Sequence, residues 1–211
     1  MRRLTLLGPA DASAYAHAVS RVTPAVERRL GPEVFANRVP GGGSLEPWRA
    51  ARIRWRRSAG RLVAAGPSCA LDVLACYDSI HPEVVGRALE HLGIADVAGR
   101  EIVSVLAAFR GAGVPGIPVG PAPSAVLANA VLANVDMHLR RNRVRFVRWV
   151  DDILISGDTH SLDAGERALE VALGELGLRS NASKRRRFPD REAANAFLFG
   201  TGAGHAASGL R

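Results

Sequence analysis

Arg145-Phe146-Val147-Arg148-Trp149-Val150-Asp151-Asp152-Ile153-Leu154-Ile155-Ser156 is the stretch on which the rest of the chain turns. Two short β-rich runs, 145–150 and 153–156, are separated by two aspartates, the pattern of a hairpin with Asp151-Asp152 at its tip. Aspartates favour hairpin tips for their turn chemistry alone, so the pair gains a functional meaning only with a partner. That partner lies upstream. Asp72 stands inside the apolar run 69–77, which reads as a buried strand. A carboxylate in such a run is costly unless it is paired, hydrogen-bonded or bound to a metal.

A strand carboxylate and a hairpin-tip carboxylate on adjacent strands of one sheet converge within metal-bridging distance. Aspartate supplies the hard anionic oxygens that magnesium requires. No histidine–cysteine cluster competes: His81, His91, His138 and His160 are scattered and read as caps or surface residues.

Working outward, Pro82 is placed to open a helix that runs to about Leu92 and stops at Gly93. A second helix covers 97–109, followed by a stiff loop over 111–120 that is rich in glycine and proline. A long, mostly apolar helix then runs from Pro123 to about Arg141, and it must be largely buried. Beyond the hairpin, 161–176 is an amphipathic helix closed by Gly177. Residues 178–188 are strand-like, and Phe197-Leu198-Phe199-Gly200 is one more strand-like piece. This order predicts an α+β layer, an antiparallel sheet covered by helices on one face. Upstream of a Gly41-Gly42-Gly43-Ser44 hinge lies an Ala/Arg-rich third; downstream, 47–57 reads as a basic helix with Trp48 and Trp55 seven apart on one face.

The 211 residues suffice for one full domain, and 47% hydrophobic with 23% charged residues are ordinary globular values, which exclude wholesale disorder. The net charge of +8 and an isoelectric point near 11.0 suit a polyanionic partner such as nucleic acid. Of the 28 Lys and Arg residues only Lys184 is lysine, and the chain has no glutamine. Cys69 and Cys76 give no disulfide framework and no zinc-ligand spacing. No stretch approaches a membrane span, and the start lacks a secretory pattern, so no membrane partner and a cytoplasmic location are expected.

Four segments, in order, resemble the palm of reverse transcriptases. Asp72-Val73-Leu74-Ala75-Cys76-Tyr77-Asp78-Ser79-Ile80 is similar to that family's aspartate strand with an aromatic residue five positions on. Residues 116–129, from Gly116-Ile117-Pro118-Val119-Gly120 through Ser124 to Asn129, resemble its glycine–proline loop and following helix. Phe146-Val147-Arg148-Trp149-Val150-Asp151-Asp152 resembles the aromatic-x-Asp-Asp hairpin, and Leu176-Gly177-Leu178-Arg179-Ser180-Asn181-Ala182-Ser183-Lys184 its LGL-x-x-N-x-x-K strand. Phe197-Leu198-Phe199-Gly200 faintly resembles the primer-grip segment.

The resemblance implies a polymerase palm, ferredoxin-like in its sheet, over 67–200. Abbreviated basic fingers over 1–66, a tail over 201–211 and no evident thumb complete the expectation. It implies RNA-directed DNA polymerase activity by two-metal nucleotidyl transfer. Asp72, Asp151 and Asp152 are the implied ligands of two Mg²⁺ ions, with Mn²⁺ as a substitute. Lys184 is implied as a catalytic residue near the leaving pyrophosphate, a task for which arginine holds its proton too tightly. Val73, Tyr77, Pro118, Val119, Gly120, Ser124 and Asn181 are the implied substrate-binding residues, with Tyr77 excluding a ribose 2′-hydroxyl.

The implied partners are an RNA template or guide-like RNA, the DNA product, deoxynucleoside triphosphates, and a protein partner or second copy supplying the thumb. Val119 stands where the family usually has glutamine, and Trp149 where it has tyrosine or phenylalanine. The valine resembles abortive-infection and defence-associated bacterial relatives, which makes phage defence the expected setting. Two alternatives stay open: a template-independent nucleotidyltransferase on the same palm, and a non-catalytic nucleic-acid-binding remnant. An RNA-dependent RNA polymerase is disfavoured by Tyr77.

Overall fold

A computed structural model describes residues 4–94 and 97–200. The predicted tail over 201–211 lies outside the described residues. In chain order the elements are α1 (Pro9–Arg29), α2 (Trp48–Ala64), β1 (Ser68–Asp72), α3 (Cys76–Ser79), α4 (Pro82–His91), α5 (Val97–Gly111), α6 (Ala122–Arg141), β2 (Arg145–Trp149), β3 (Asp152–Ser156), α7 (Thr159–Leu176), β4 (Arg186–Phe188) and α8 (Arg191–Phe199). The strands form one sheet in the order β2-β3-β1-β4, every neighbouring pair antiparallel. From β1 onward each crossover through helices straddles one strand, which is the split βαβ arrangement. The α+β class is therefore observed.

Local chemistry sets the element ends. Asp158 caps α7 by accepting a 2.7 Å hydrogen bond from the Ser161 amide, and Gly177 closes it in the left-handed conformation. Helix α6 is apolar nearly all round, from Ala125 to Leu139, and is buried accordingly.

Period-2 alternation sends the strands' side chains to two different cores. Leu71 and Cys69 of β1, Phe146 of β2, and Ile153 and Ile155 of β3 join a large core with α1, α4, α5, α6 and α7. Val147 and Trp149 of β2, Leu154 of β3 and Phe188 of β4 join a smaller core with Trp55, Ala59 and Val63 of α2 and Ala194 of α8. The sheet thus carries helices on both faces, where one covered face was expected. The reason is composition: a hairpin that alternates apolar with apolar needs cover on both sides.

Four further expectations are corrected. The run 69–77 is not one strand; β1 stops at Asp72, and a left-handed Ala75 turns the chain into α3. Asp152 belongs to β3, so the hairpin turn is Val150-Asp151. Of 178–188 only β4 and a bridge at Ser180 are extended, with a 3₁₀ turn over Ala182–Lys184 between them. Phe197, Leu198 and Phe199 lie on α8, whose cap Asp190 accepts from the Ala193 amide, and so the primer-grip likeness falls on a helix. Trp48 also differs from its expected face: it is 59% exposed while Trp55 is buried. Trp48 is the first residue of α2, two turns before Trp55, so sharing a face does not bring both rings over the sheet.

The N-terminal third is woven into these cores. Tyr15 of α1 donates or accepts a 2.9 Å hydrogen bond with Ser124 of α6 and meets Phe109 of α5 edge-on, ring centroids 5.4 Å apart. Residues 33–35 run beside β2, with Arg148 N donating to Glu33 O at 2.9 Å and Phe35 N donating to Arg148 O at 3.2 Å.

Candidate active site

The β1–β3 register sets Asp72 directly opposite Asp152. Directly opposed residues in an antiparallel pair hold their Cβ atoms roughly 5 Å apart on one face. That face is the α2/α8 side, because Leu71 and Ile153 occupy the other. Asp151 is the next residue back along the chain, in the turn. Asp72 and Asp151 are only 4% and 5% exposed. Three carboxylates are thus gathered at one end of the sheet.

On the opposite flank of β1, the β4 pairing and the turn preceding it deliver Asn181 and Lys184. Lys184 Nζ lies 2.8 Å from Asp72 Oδ2, and Asn181 Nδ2 donates to Asp72 Oδ1 at 3.1 Å. Asn181 N also donates to Asp72 O at 2.7 Å, which locks the turn against the strand end. Four of the predicted residues, Asp72, Asp152, Asn181 and Lys184, therefore form one row across the sheet, with Asp151 beside it. The Lys184 side chain is 37% exposed, so its ion pair is displaceable.

The hairpin turn is strained and held from beneath. Val150 has φ of 55°, a left-handed conformation that a β-branched residue avoids. A two-residue loop with positive φ at its first position alone has the type II′ pattern, which normally takes glycine there. Holding valine in it costs about 1–3 kcal/mol. The counterweight is Arg148, whose side chain is fully buried on the α6 side of the sheet. Its Nη1 donates to Val150 O at 2.8 Å and to Asn129 Oδ1 at 3.0 Å. Nε and Nη2 form a two-pronged pair with Asp136 at 2.8 and 2.7 Å, and Asp136 is also wholly buried. Asn129 Nδ2 in turn donates to Ala36 O and Asn37 O, each at 3.0 Å.

Sequence reasoning passed over this network. Its signal was present: an arginine inside an apolar strand and an aspartate inside an apolar helix, opposite in sign and each anomalous alone.

The glycine–proline loop meets the first motif directly. Ile117 N donates to Tyr77 O at 3.0 Å, and a Cβ on Gly116 would stand 2.1 Å from that same oxygen, so only glycine permits the contact. Val119 is tied to the N-terminal segment, with Thr5 N donating to Val119 O at 2.8 Å and Val119 N to Thr5 Oγ1 at 3.3 Å. Pro118 is buried and Gly120 exposed beside it with φ of 116°.

Two predicted substrate-binding residues sit elsewhere. Ser124 is sealed in the large core on Tyr15, and the Val73 side chain packs into that core. Both read as substrate contacts from motif position, but period and burial turn their side chains inward.

The α2 side is basic and aromatic. The Arg52 guanidinium carbon lies 4.3 Å from the Trp55 ring centroid and 5.2 Å from that of Trp149. Arg56 lies 4.9 Å from the Phe199 centroid and Arg49 5.7 Å from that of Trp48. Among the described residues no group of three or more His, Cys, Asp or Glu side chains forms a metal cage. The donor set still fits Mg²⁺, which is commonly held by one or two carboxylates plus substrate phosphates rather than by an all-protein cage.

No helix among the described residues is long and apolar enough to cross a membrane. Comparison of the chain with models of known protein families and with curated proteins gives no match.

Proposed function

We propose that the chain is a reverse-transcriptase-type palm that transfers deoxynucleotides to a nucleic-acid 3′-hydroxyl in a divalent-metal-dependent reaction. The observation that carries this reading is the register pairing of Asp72 with Asp152, with Asp151 buried in the adjoining strained turn and Lys184 on Asp72. The split βαβ sheet and the docking of the Gly116–Val119 loop on Tyr77 support it. Asp72, Asp151 and Asp152 would hold Mg²⁺, which when bound supplies positive charge to the attacking and leaving oxygens of an in-line displacement. The primer 3′-hydroxyl loses its proton to water, its oxygen forms a bond to the α-phosphorus, and the bond to the pyrophosphate oxygen breaks.

This chain's own residues have separable tasks in that reaction. Asn181 keeps one oxygen of Asp72 oriented. Lys184, the sole lysine, carries a proton that a leaving pyrophosphate can accept, and it neutralises Asp72 until a stronger cation replaces it. Tyr77, beside the glycine–proline loop, limits the sugar that enters. Arg148 keeps the Asp151 turn in its strained shape.

The test is incorporation of labelled deoxynucleotide with Mg²⁺, with and without an RNA template. Asp151→Ala is expected to lower the rate by ~10³-fold or more, the scale of losing a preorganised transition-state contact. Wild-type rates in that variant would overturn the proposal. Product whose sequence ignores the added template selects the template-independent form of the same chemistry, which Val119 in place of glutamine favours.

A further inference from the structure

Two buried donors stand side by side on the sheet face that carries Asp72 and Asp152. Arg52 Nη1 and Trp55 Nε1 are both shielded from solvent, and neither has a hydrogen-bond partner. Trp55 is only 3% exposed. The two residues are three apart on α2, on one helix face, with the guanidinium stacked on the indole. A buried donor left unpaired forfeits its hydrogen bond to water without replacement, so two in contact are a conspicuous expense for the fold alone. Among the described residues Ser68 Oγ, Asn134 Oδ1 and Ser156 Oγ are also buried without a partner, but these are single neutral atoms. The other well-shielded guanidinium groups are paired, Arg148 through every side-chain nitrogen and Arg38 with Glu27, Gly31 O and Val34 O.

Placement gives the donors a direction. Arg52 also lies over Trp149, whose cross-strand partner is Asp152. Burial and then Arg56 disfavour the charged guanidinium, and Asp152 partly offsets them. Arg49 and Arg56 flank the pair on the same helix, each on an aromatic ring.

We propose that Arg52 and Trp55 form a phosphate-binding site at the edge of the acidic row, taking a phosphoryl oxygen of the molecule that reacts there. The guanidinium offers a planar, charged donor and the indole a neutral one, a combination that suits a phosphoryl oxygen. The phosphate can come from a nucleoside triphosphate or from a strand phosphodiester, and the inference rests on the nucleotidyl-transfer reading for which of these reacts.

Binding without chemistry tests it. The full chain is titrated in EDTA with deoxyadenosine triphosphate and, separately, with a fluorescein-labelled 16-nucleotide single strand. Arg52→Ala is expected to weaken one of the two by about tenfold or more, the size of a charged hydrogen bond to phosphate. Trp55→Phe, which keeps the packed ring and removes only the N–H, is expected to weaken the same ligand by about threefold. Arg61→Ala, further along α2, is expected to leave triphosphate binding unchanged.

Loss confined to the triphosphate identifies the nucleotide as the source. Loss confined to the strand, with the salt slope reduced by about one, identifies a phosphodiester. Equal affinities, within twofold, for wild type, Arg52→Ala and Trp55→Phe overturn the inference, and Trp55→Phe reads this even if Arg52→Ala folds poorly. The two proposals fail separately: binding that depends on Arg52 without any incorporation by wild type sinks only the function, and incorporation without Arg52-dependent binding sinks only this site.

Discussion

The two faces of the sheet use the same kinds of charge in opposite ways. On the α6 side, Arg148, Asp136 and Asn129 are wholly buried, and every nitrogen of the guanidinium has an acceptor. On the α2 side, Asp72 is buried but leans on a lysine open to solvent, and Arg52 and Trp55 each keep an unpaired donor. A closed network stabilises one geometry, since any lost partner leaves a charge stranded in low dielectric. An open one can exchange partners, which binding and catalysis require. The sealed face acts on the open one through the hydrogen bond from Arg148 to Val150 O, under the turn that carries Asp151.

Breaking the sealed face should have the largest effect on stability. Arg148→Met leaves Asp136 buried without its cation and is expected to cost about 3–5 kcal/mol, on the order of 10 °C in Tm by calorimetry. Replacing Asp136 by leucine in the same chain should recover most of that loss while leaving incorporation weak, because the Val150 carbonyl still lacks its donor. Recovery of stability and activity together would show that the network serves packing alone.

Alkaline titration sharpens the same contrast. Cys69, on the sealed side, has its thiol pushed from 9.0 up to about 12, first by burial and then by Glu166. The folded chain therefore holds that proton more tightly than the unfolded one. The associated stability is complete below pH 9.0 and is lost as pH rises toward about 12. Cys69→Val should flatten the fall in denaturation midpoint across that window, and an unchanged slope would count against the assignment.

On the open face the effects are smaller and kinetic. Lys184→Ala removes a cation that competes for Asp72 Oδ2, so the apparent affinity for Mg²⁺ should rise by roughly threefold while kcat falls, with a smaller loss of Tm than Arg148→Met because Asn181 still donates to Asp72. Metal titration of the rate separates the two effects, and a lower metal affinity would contradict the competition. Smallest of all is Trp48→Ala. At an exposed ring it should shift stability by no more than about 0.5 kcal/mol.

Much of this was legible in the chain. The hairpin at 145–156, the buried helix ending at Arg141 and the stops at Gly93 and Gly177 follow from local periodicity and cap chemistry, and the meeting of Asp72 with the hairpin aspartates was expected from carboxylates on adjacent strands. Asn181 and Lys184, which only the resemblance pointed to, both contact Asp72. Less legible were the ends of β1 and β4 and the helical state of 197–199, because short apolar runs fit a strand and a buried helix equally well. The inward direction of the Ser124 and Val73 side chains was not legible because a motif assigns a position, not the direction of its side chain.

Alternation and punctuation by glycine, proline and aspartate are properties of neighbouring residues, and they were sufficient to give the α+β class and the hairpin. Whether a face is covered once or twice, which arginine finds which aspartate across 12 residues, and which donors remain unpaired depend on segments brought together from distant parts of the chain. Those outcomes are set by burial and by the high cost of an unmatched charge away from water, quantities that exist only once the chain has closed around them.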